Sequence, residues 1–292
     1  MINKNVIKLE QNEDIWIKPD FKHPSHKVQA FFAGETSCTR YKPLYENKAF
    51  DVLLQQTPKG HISLTLSFCP AKVLFGNNLF EVKKQDFELL LYTTCDMLEQ
   101  EGWIIDPELL RLHPLCGVDY AKIWASLYNS KQVFKLVNDV ENHRRLTKGH
   151  TLYSNGGQCS IMQYAKRRLY IYDKTTELLA AGHISPELAD HIKQSLYTFF
   201  RWEYNMRSAK EIDRELKKQG IHIPNTFENL FDEQIGQQIL TYYISGITER
   251  MQKIALDELQ NTYYKLAQQE DIHGPQKSLS WLGYHLGIER WG

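Results

Sequence analysis

The sharpest alternation of apolar and polar positions lies at residues 61–68. There Ile62, Leu64, Leu66 and Phe68 interleave with Ser63, Thr65 and Ser67. A period of two marks a strand with one face buried. Two later runs repeat it with chemistry on one side. In the first, Leu169 and Ile171 alternate with Tyr170 and Tyr172; in the second, Phe200, Trp202, Tyr204 and Met206 alternate with Arg201, Glu203, Asn205 and Arg207. Further strands are expected at 14–18, 27–33 and 115–120, the last carrying Asp119. Asn155-Gly156-Gly157 predicts a hairpin turn between 151–154 and 158–164, because small residues there tolerate positive φ. The strand then reads on through 164–172. Residues 1–58 are otherwise weakly patterned.

Helical patterns fill the spaces. Residues 86–100 read as a helix closed by Gly102, and 130–140 as another. Ser185-Pro186-Glu187 supplies a cap and a first-turn proline for a helix reaching about 199. Pro70 should end strand pairing, and Gly76-Asn77 marks a turn. After 207 the chain turns helical, with a helix at 208–219 stopped by Gly220 and a long one at 227–269 broken near Gly236 and Gly246. A last helical piece follows Gly274-Pro275, in which 278–287 suggests a helix-turn-helix fragment. The expected fold is α+β: a largely antiparallel central sheet with flanking helices, plus an all-helical C-terminal region, divided as 1–207 and 208–292.

Composition narrows the function classes. The chain has 292 residues, 42% hydrophobic and 24% charged, which is ordinary globular usage. No apolar run approaches the ~20 residues of a membrane span, and the N-terminus lacks a signal-peptide core, so a cytoplasmic protein is expected. The five cysteines are widely spaced without a C-x-x-C pair, which argues against a disulfide framework or structural zinc. Net charge is zero, which counts against a nucleic-acid protein, since phosphate contacts need a surplus of Lys and Arg, but local basic clusters can bind DNA on a neutral chain or simply form a solvated surface. His143-Arg144-Arg145 with Lys148 and His150, and Lys166-Arg167-Arg168, are such clusters. Arg144, Arg145, Lys148, Lys166, Arg167, Arg168 and Arg201 are the candidate DNA contacts.

A phenol is a weak nucleophile at its free pKa near ~10 and needs a cation beside it. Lys174 lies two residues beyond Tyr172, on its face, while Asp173 points away. Asp119 and Glu203 are the candidate metal ligands, since Mg²⁺ takes oxygen donors and is commonly held by one or two carboxylates. Plain alternatives stand beside these: Tyr-x-Tyr suits ordinary strand packing, Asp119 can cap a loop, and Glu203 can simply pair with Arg201. None of the eleven histidines forms a His-hydrophobic-His pair; His113 is the one histidine near Asp119, and a structural role suits it. There is no P-loop and no G-x-S-x-G.

Four motifs in order resemble the filamentous-phage gene-two-type replication initiators and the related plasmid Rep-trans proteins. Ser67 through Leu79, Cys69-Pro70-Ala71-Lys72-Val73-Leu74-Phe75-Gly76 included, is similar to their "SPAKFLxGxN" run. Gly117-Val118-Asp119-Tyr120 resembles "R-[IV]-D". Thr151-Leu152-Tyr153 followed by Leu169-Tyr170-Ile171-Tyr172-Asp173-Lys174 resembles "TLYxG…LxIYDKxxEL", and Arg201-Trp202-Glu203-Tyr204 resembles "R-x-E-[IVL]". Cys69 stands where the family has Ser, Gly117 where it has Arg, and Asn77-Asn78 varies the expected tail. The resemblance implies a relaxase-like nicking endonuclease for rolling-circle replication, cutting single-stranded or supercoiled origin DNA. It makes Tyr172 the nucleophile of a 5′-phosphotyrosine intermediate, Lys174 a charge stabiliser and Tyr170 a second acceptor. Asp119 and Glu203 become ligands of Mg²⁺ or Mn²⁺. A host helicase, a polymerase and a second copy of the chain are the implied protein partners. A non-catalytic origin-binding regulator is the competing expectation.

Overall fold

The computed structural model describes residues 2–10, 15–17, 29–33, 35–41, 50–76, 78, 81–100, 102–126, 128–139, 147–152, 158–164, 166–181 and 186–269. The chain opens with strands β1 (Ile2–Glu10), β2 (Ile15–Ile17), β3 (Gln29–Ala33), β4 (Thr36–Tyr41), β5 (Phe50–Gln56) and β6 (Ile62–Phe68). Helices α1 (Pro70–Phe75) and α2 (Phe87–Gln100) follow, then β7 (Trp103–Ile105), α3 (Pro107–Leu112), β8 (Leu115–Ser126) and α4 (Ser130–Asp139). Next come β9 (Thr147–Leu152), β10 (Gln158–Tyr164), β11 (Arg167–Asp173), α5 (Lys174–Ala181), α6 (Pro186–Gln194) and β12 (Thr198–Met206). The described chain closes with α7 (Ala209–Lys218), α8 (Phe227–Leu230) and α9 (Glu233–Gln269).

Ten strands form one sheet in the order β3-β4-β5-β6-β1-β8-β12-β11-β10-β9, and every neighbouring pair is antiparallel. The α+β class is therefore as the pattern predicted. β2 and β7 form a separate two-stranded ribbon. Among the described residues no helix is long and apolar enough to cross a membrane.

One face of the large sheet is the core. Leu64, Leu66 and Phe68 of β6, Ile7 and Leu9 of β1, Val118 and Tyr120 of β8, and Phe200, Trp202 and Tyr204 of β12 are all buried. Helices cover that face: Phe227 of α8 meets Phe68 edge-on at 5.6 Å, and Phe134 of α4 meets Phe200 at 6.0 Å. Ile212 and Leu216 of α7 and Ile239 and Tyr243 of α9 belong to the same core cluster. The opposite face bears the alternate residues Lys4, Thr65, Asp119, Glu203, Asn205, Arg168 and Tyr170, most of them half-buried or exposed.

The structure departs from the pattern in several places, beginning with β4, β5, β7 and α3, for which the pattern gave no element. β1 sits in the middle of the sheet although its sequence alternates poorly, because its register with β8 shifts twice and Asn5 faces the core. The run 164–172 is two strands, since Tyr164 pairs with Arg167 and the chain reverses between them. The helix begun at Pro186 stops at Gln194, not 199. Finally, the helical run expected at 227–269 breaks once, between α8 and α9 at residues 231–232, and α9 passes through Gly236 and Gly246 unbroken. Gly236 serves packing instead: a Cβ there would lie 2.7 Å from the buried Tyr120 ring, whose hydroxyl donates to the Leu230 carbonyl. The hairpin turn at 155–157 and the segment 270–292 lie outside the described residues, while the strands flanking that turn, β9 and β10, pair as expected.

α7 is anchored by a buried carboxylate. Glu215, with a fully buried side chain, pairs with Arg167 at 3.2 Å and accepts from the hydroxyls of Tyr243 at 2.8 Å and Tyr204 at 3.2 Å. Gln219 also donates to it at 2.9 Å, and the Tyr204 and Tyr243 rings stack at 4.2 Å. Burial alone would raise the Glu215 pKa, but the hydrogen bonds from Gln219 and Tyr243 and the charges of Lys218 and Arg167 outweigh it and hold it below 4.5. A carboxylate whose folded pKa is depressed stabilises the fold above its unfolded value and loses that contribution as pH falls through the folded one. Urea unfolding between pH 7 and 3 should therefore show wild type losing stability below about pH 4.5. Glu215→Gln should be weaker by about 2–4 kcal/mol at pH 7 and show a shallower acid loss.

Candidate active site

The register of three strands assembles the site. Tyr172 of β11 pairs with Arg201 of β12, and Tyr170 with Glu203. On the other side of β12, Asn205 pairs with Asp119 of β8, and Asp119 in turn with Lys4 of β1. All these residues stand on the face opposite the core helices. The strand β11 ends where Asp173 turns away to cap α5: its carboxylate accepts from the Thr176 backbone at 2.9 Å and the Thr176 hydroxyl at 2.8 Å, and from Ser130. That cap makes Lys174 the first residue of α5, beside the Tyr172 ring at 6.0 Å.

Around Tyr172 the contacts are tight. Its hydroxyl donates to Glu203 Oε1 at 2.7 Å, and Arg201 Nε lies 2.9 Å from the same oxygen. Arg201 also donates to the Asn78 carbonyl at 2.9 Å, while the Asn78 side chain accepts from Lys174 Nζ at 3.1 Å. Lys174 closes the cluster on Glu177 at 2.5 Å. Asn78 thus ties both cations to the chain following α1, through its carbonyl for one and its side chain for the other. Burial, followed by the charge of Glu203, pushes the Tyr172 phenol well above its usual value. Burial also lowers the Lys174 pKa, against the pull of Glu177.

Asp119 is buried and accepts from Asn205 Nδ2. Burial and then the Glu203 charge push its carboxyl up to about 7, with Lys4, Asn205 and Arg207 pulling the other way. Two carboxylates repelling each other on one face have the donor type a divalent cation takes. Among the described residues no group of three or more His, Cys, Asp or Glu gathers into a metal cluster. His113 is not with them; at the foot of β8 its ring nitrogen meets the Pro114 carbonyl at 3.0 Å.

Tyr170, half-buried, is held differently. Its hydroxyl accepts from Arg168 at 3.2 Å and from Arg207 at 3.1 Å, and Arg207 also donates to Asn205 Oδ1 at 2.6 Å. Of the residues read from sequence as DNA contacts, Arg168 and Arg201 belong to this face, and Lys166 is exposed at the β10–β11 turn. Arg167 faces the core and is spent on Glu215 and Glu211. Arg144 and Arg145 lie outside the described residues, as does the side chain of Lys148. Sequence reading overlooked Asn78, Glu177 and Arg207. Arg207 shares the parity of Arg201 and Glu203, and Asn78 closes the first motif run, so both were within reach of the pattern.

No curated protein and no solved structure matches the chain. A family model described as the N-terminal region of the phage gene-two replication-associated protein matches residues 8–229, a span covering β6, β8, β11 and β12 and every residue of the Tyr172 cluster. The chain belongs to that family, the filamentous-phage gene-two-type replication initiators.

Proposed function

We propose that the protein nicks and rejoins origin DNA through a tyrosine–phosphodiester intermediate formed on the β11–β12 face, as a rolling-circle replication initiator. The observation that carries this reading is the 2.7 Å hydrogen bond from the Tyr172 hydroxyl to Glu203. A phenol whose pKa burial has raised needs a base within hydrogen-bond reach to become a nucleophile, and Glu203 is that base. The Tyr172 oxygen attacks the phosphorus as its proton passes to Glu203. A P–Oη bond forms and the P–O3′ bond breaks, leaving a 5′-phosphotyrosine. The departing O3′ takes a proton and becomes the 3′-hydroxyl that primes synthesis. Lys174 and Arg201 are the cations placed where charge develops on the phosphate. Lys174, with its pKa lowered by burial, is the better placed of the two to give up a proton, since arginine stays charged. Attack by the freed 3′-hydroxyl on the phosphotyrosine reverses the step without an energy source.

Asp119 and the second carboxylate oxygen of Glu203 would hold Mg²⁺ or Mn²⁺, leaving Glu203 Oε1 to take the Tyr172 proton, with Asn205 and Lys4 beside Asp119. Such an ion polarises a phosphoryl oxygen and orients the leaving group. Tyr170 supports a second reading of the nucleophile: it is the more open phenol, and two guanidinium groups already sit on its oxygen. In the first reading it accepts a second strand transfer.

Two experiments test this. Incubation with Mn²⁺ and labelled single-stranded origin DNA should give a covalent protein–DNA band on a denaturing gel. Tyr172→Phe should abolish that band, and Tyr170→Phe should leave first cleavage largely intact. A band lost only in Tyr170→Phe would move the nucleophile there, and DNA binding without cleavage would favour a non-catalytic regulator. Separately, Mn²⁺ at a hundredfold excess over its Kd should stabilise the DNA-free protein by about 2.7 kcal/mol. The double variant Asp119→Asn, Glu203→Gln should lose that thermal shift; an equal shift would remove these carboxylates as ligands.

A further inference from the structure

The last rung between β8 and β12 is Ser126 with Thr198, and just beyond it lie three large exposed residues. Tyr128 is 54% exposed, Leu196 84% and Tyr197 49%. Each lies within two residues of that rung, so all three stand at one end of two central strands of the sheet. The Tyr172 cluster lies toward the same strand end: Tyr172, Arg201 and Ile123 form one row across β11, β12 and β8, three rungs away. Tyr197 is four residues from Arg201 along one strand, about 13 Å at the rise of an extended chain.

Resting on the nicking reading above, we infer that this end of β8 and β12 is a stacking platform for the bases of single-stranded DNA flanking the scissile phosphate. Aromatic rings beside a cationic track are how single strands are held without reading their sequence, each base presenting a π-face to a ring. Both tyrosines are fixed at the backbone: the Tyr128 N–H donates to Ser126 Oγ at 3.0 Å and the Tyr197 N–H to Ser195 Oγ at 3.1 Å. Neither 126–132 nor 193–198 contains Asp or Glu, and together they carry Lys131 and Lys193. Lys131 is exposed at the start of α4. Asp173, held by Ser130, is buried as the cap of α5. A polyanion therefore meets no opposing charge from these two segments. The size of the patch argues against a protein partner, because three side chains fall far short of the ~1,000 Å² that a stable protein interface needs.

The test uses the full chain and a fluorescent oligothymidylate of about 30 nucleotides, since stacking tolerates any sequence. Tyr128→Ala and Tyr197→Ala should each weaken binding about tenfold, while Tyr→Phe at either position restores it. The slope of log affinity against log salt should stay that of wild type, because no phosphate contact is removed. Unchanged affinity in the double alanine variant overturns the platform and leaves the Tyr172-dependent adduct untouched. Weakened binding that phenylalanine does not restore, or that comes with a shallower salt slope, overturns stacking as its cause. A wild-type protein that binds no oligothymidylate removes the platform, while the nicking reading stands or falls with the adduct on origin DNA.

Discussion

The strand register of β8, β12 and β11 is the constraint on which the rest depends. Side chains alternate across a sheet, so a slip of one residue would exchange its faces. With the observed pairing, Val118, Tyr120, Trp202, Tyr204, Leu169 and Ile171 go into the helix-covered core. Asp119, Glu203, Arg201 and Tyr172 go to the other side. Stability and chemistry are thus specified by the same pairing. Burial of the first set fixes the second to within the few ångströms that a phenol–carboxylate hydrogen bond requires. Gly236 and Glu215 work from the helical side, one by admitting the Tyr120 ring against α9 and the other by fastening α7 to Arg167 and Tyr204.

The charged side chains on the open face are mutually compensated. Arg201 faces Glu203, Lys174 faces Glu177, and Asn78 receives both cations. Arg201 and Lys174 are buried and Glu203 is mostly so, an arrangement tolerable only because each is paired and hydrogen-bonded. Asp119 is the exception. Its carboxyl is pushed to about 7 by burial and by Glu203, a strain that a cation would relieve.

Much of this was legible in the sequence where a two-residue period ran cleanly. β6, β10, β12 and the β9–β10 hairpin were read from alternation and turn chemistry, and parity put Tyr170 with Tyr172 and Arg201 with Glu203 on one face of their strands, whose pairing only the fold supplies. β1 was not legible, because two register shifts and an inward Asn5 break its alternation. The reversal that pairs Tyr164 with Arg167 was hidden because no Gly or Pro stands there to signal a turn. Arg167 was misread by grouping it with neighbouring charges. Its position shares parity with Leu169 and Ile171, which already placed it on the core side. Gly236 looked like a helix breaker because its partner, Tyr120, is more than a hundred residues away in sequence, and only the fold brings them together.

Identifying the residue that carries DNA decides between the two phenols. A covalent complex formed on single-stranded origin DNA would be digested with nuclease and trypsin, and the nucleotide-bearing peptide sequenced by mass spectrometry. Cleavage after Arg168 and Lys174 yields the peptide 169–174, in which fragment ions separate Tyr170 from Tyr172. The nucleotide remnant is expected on Tyr172. A remnant on Tyr170 would contradict the assignment of the nucleophile, and one on any peptide outside β11 would contradict the site itself.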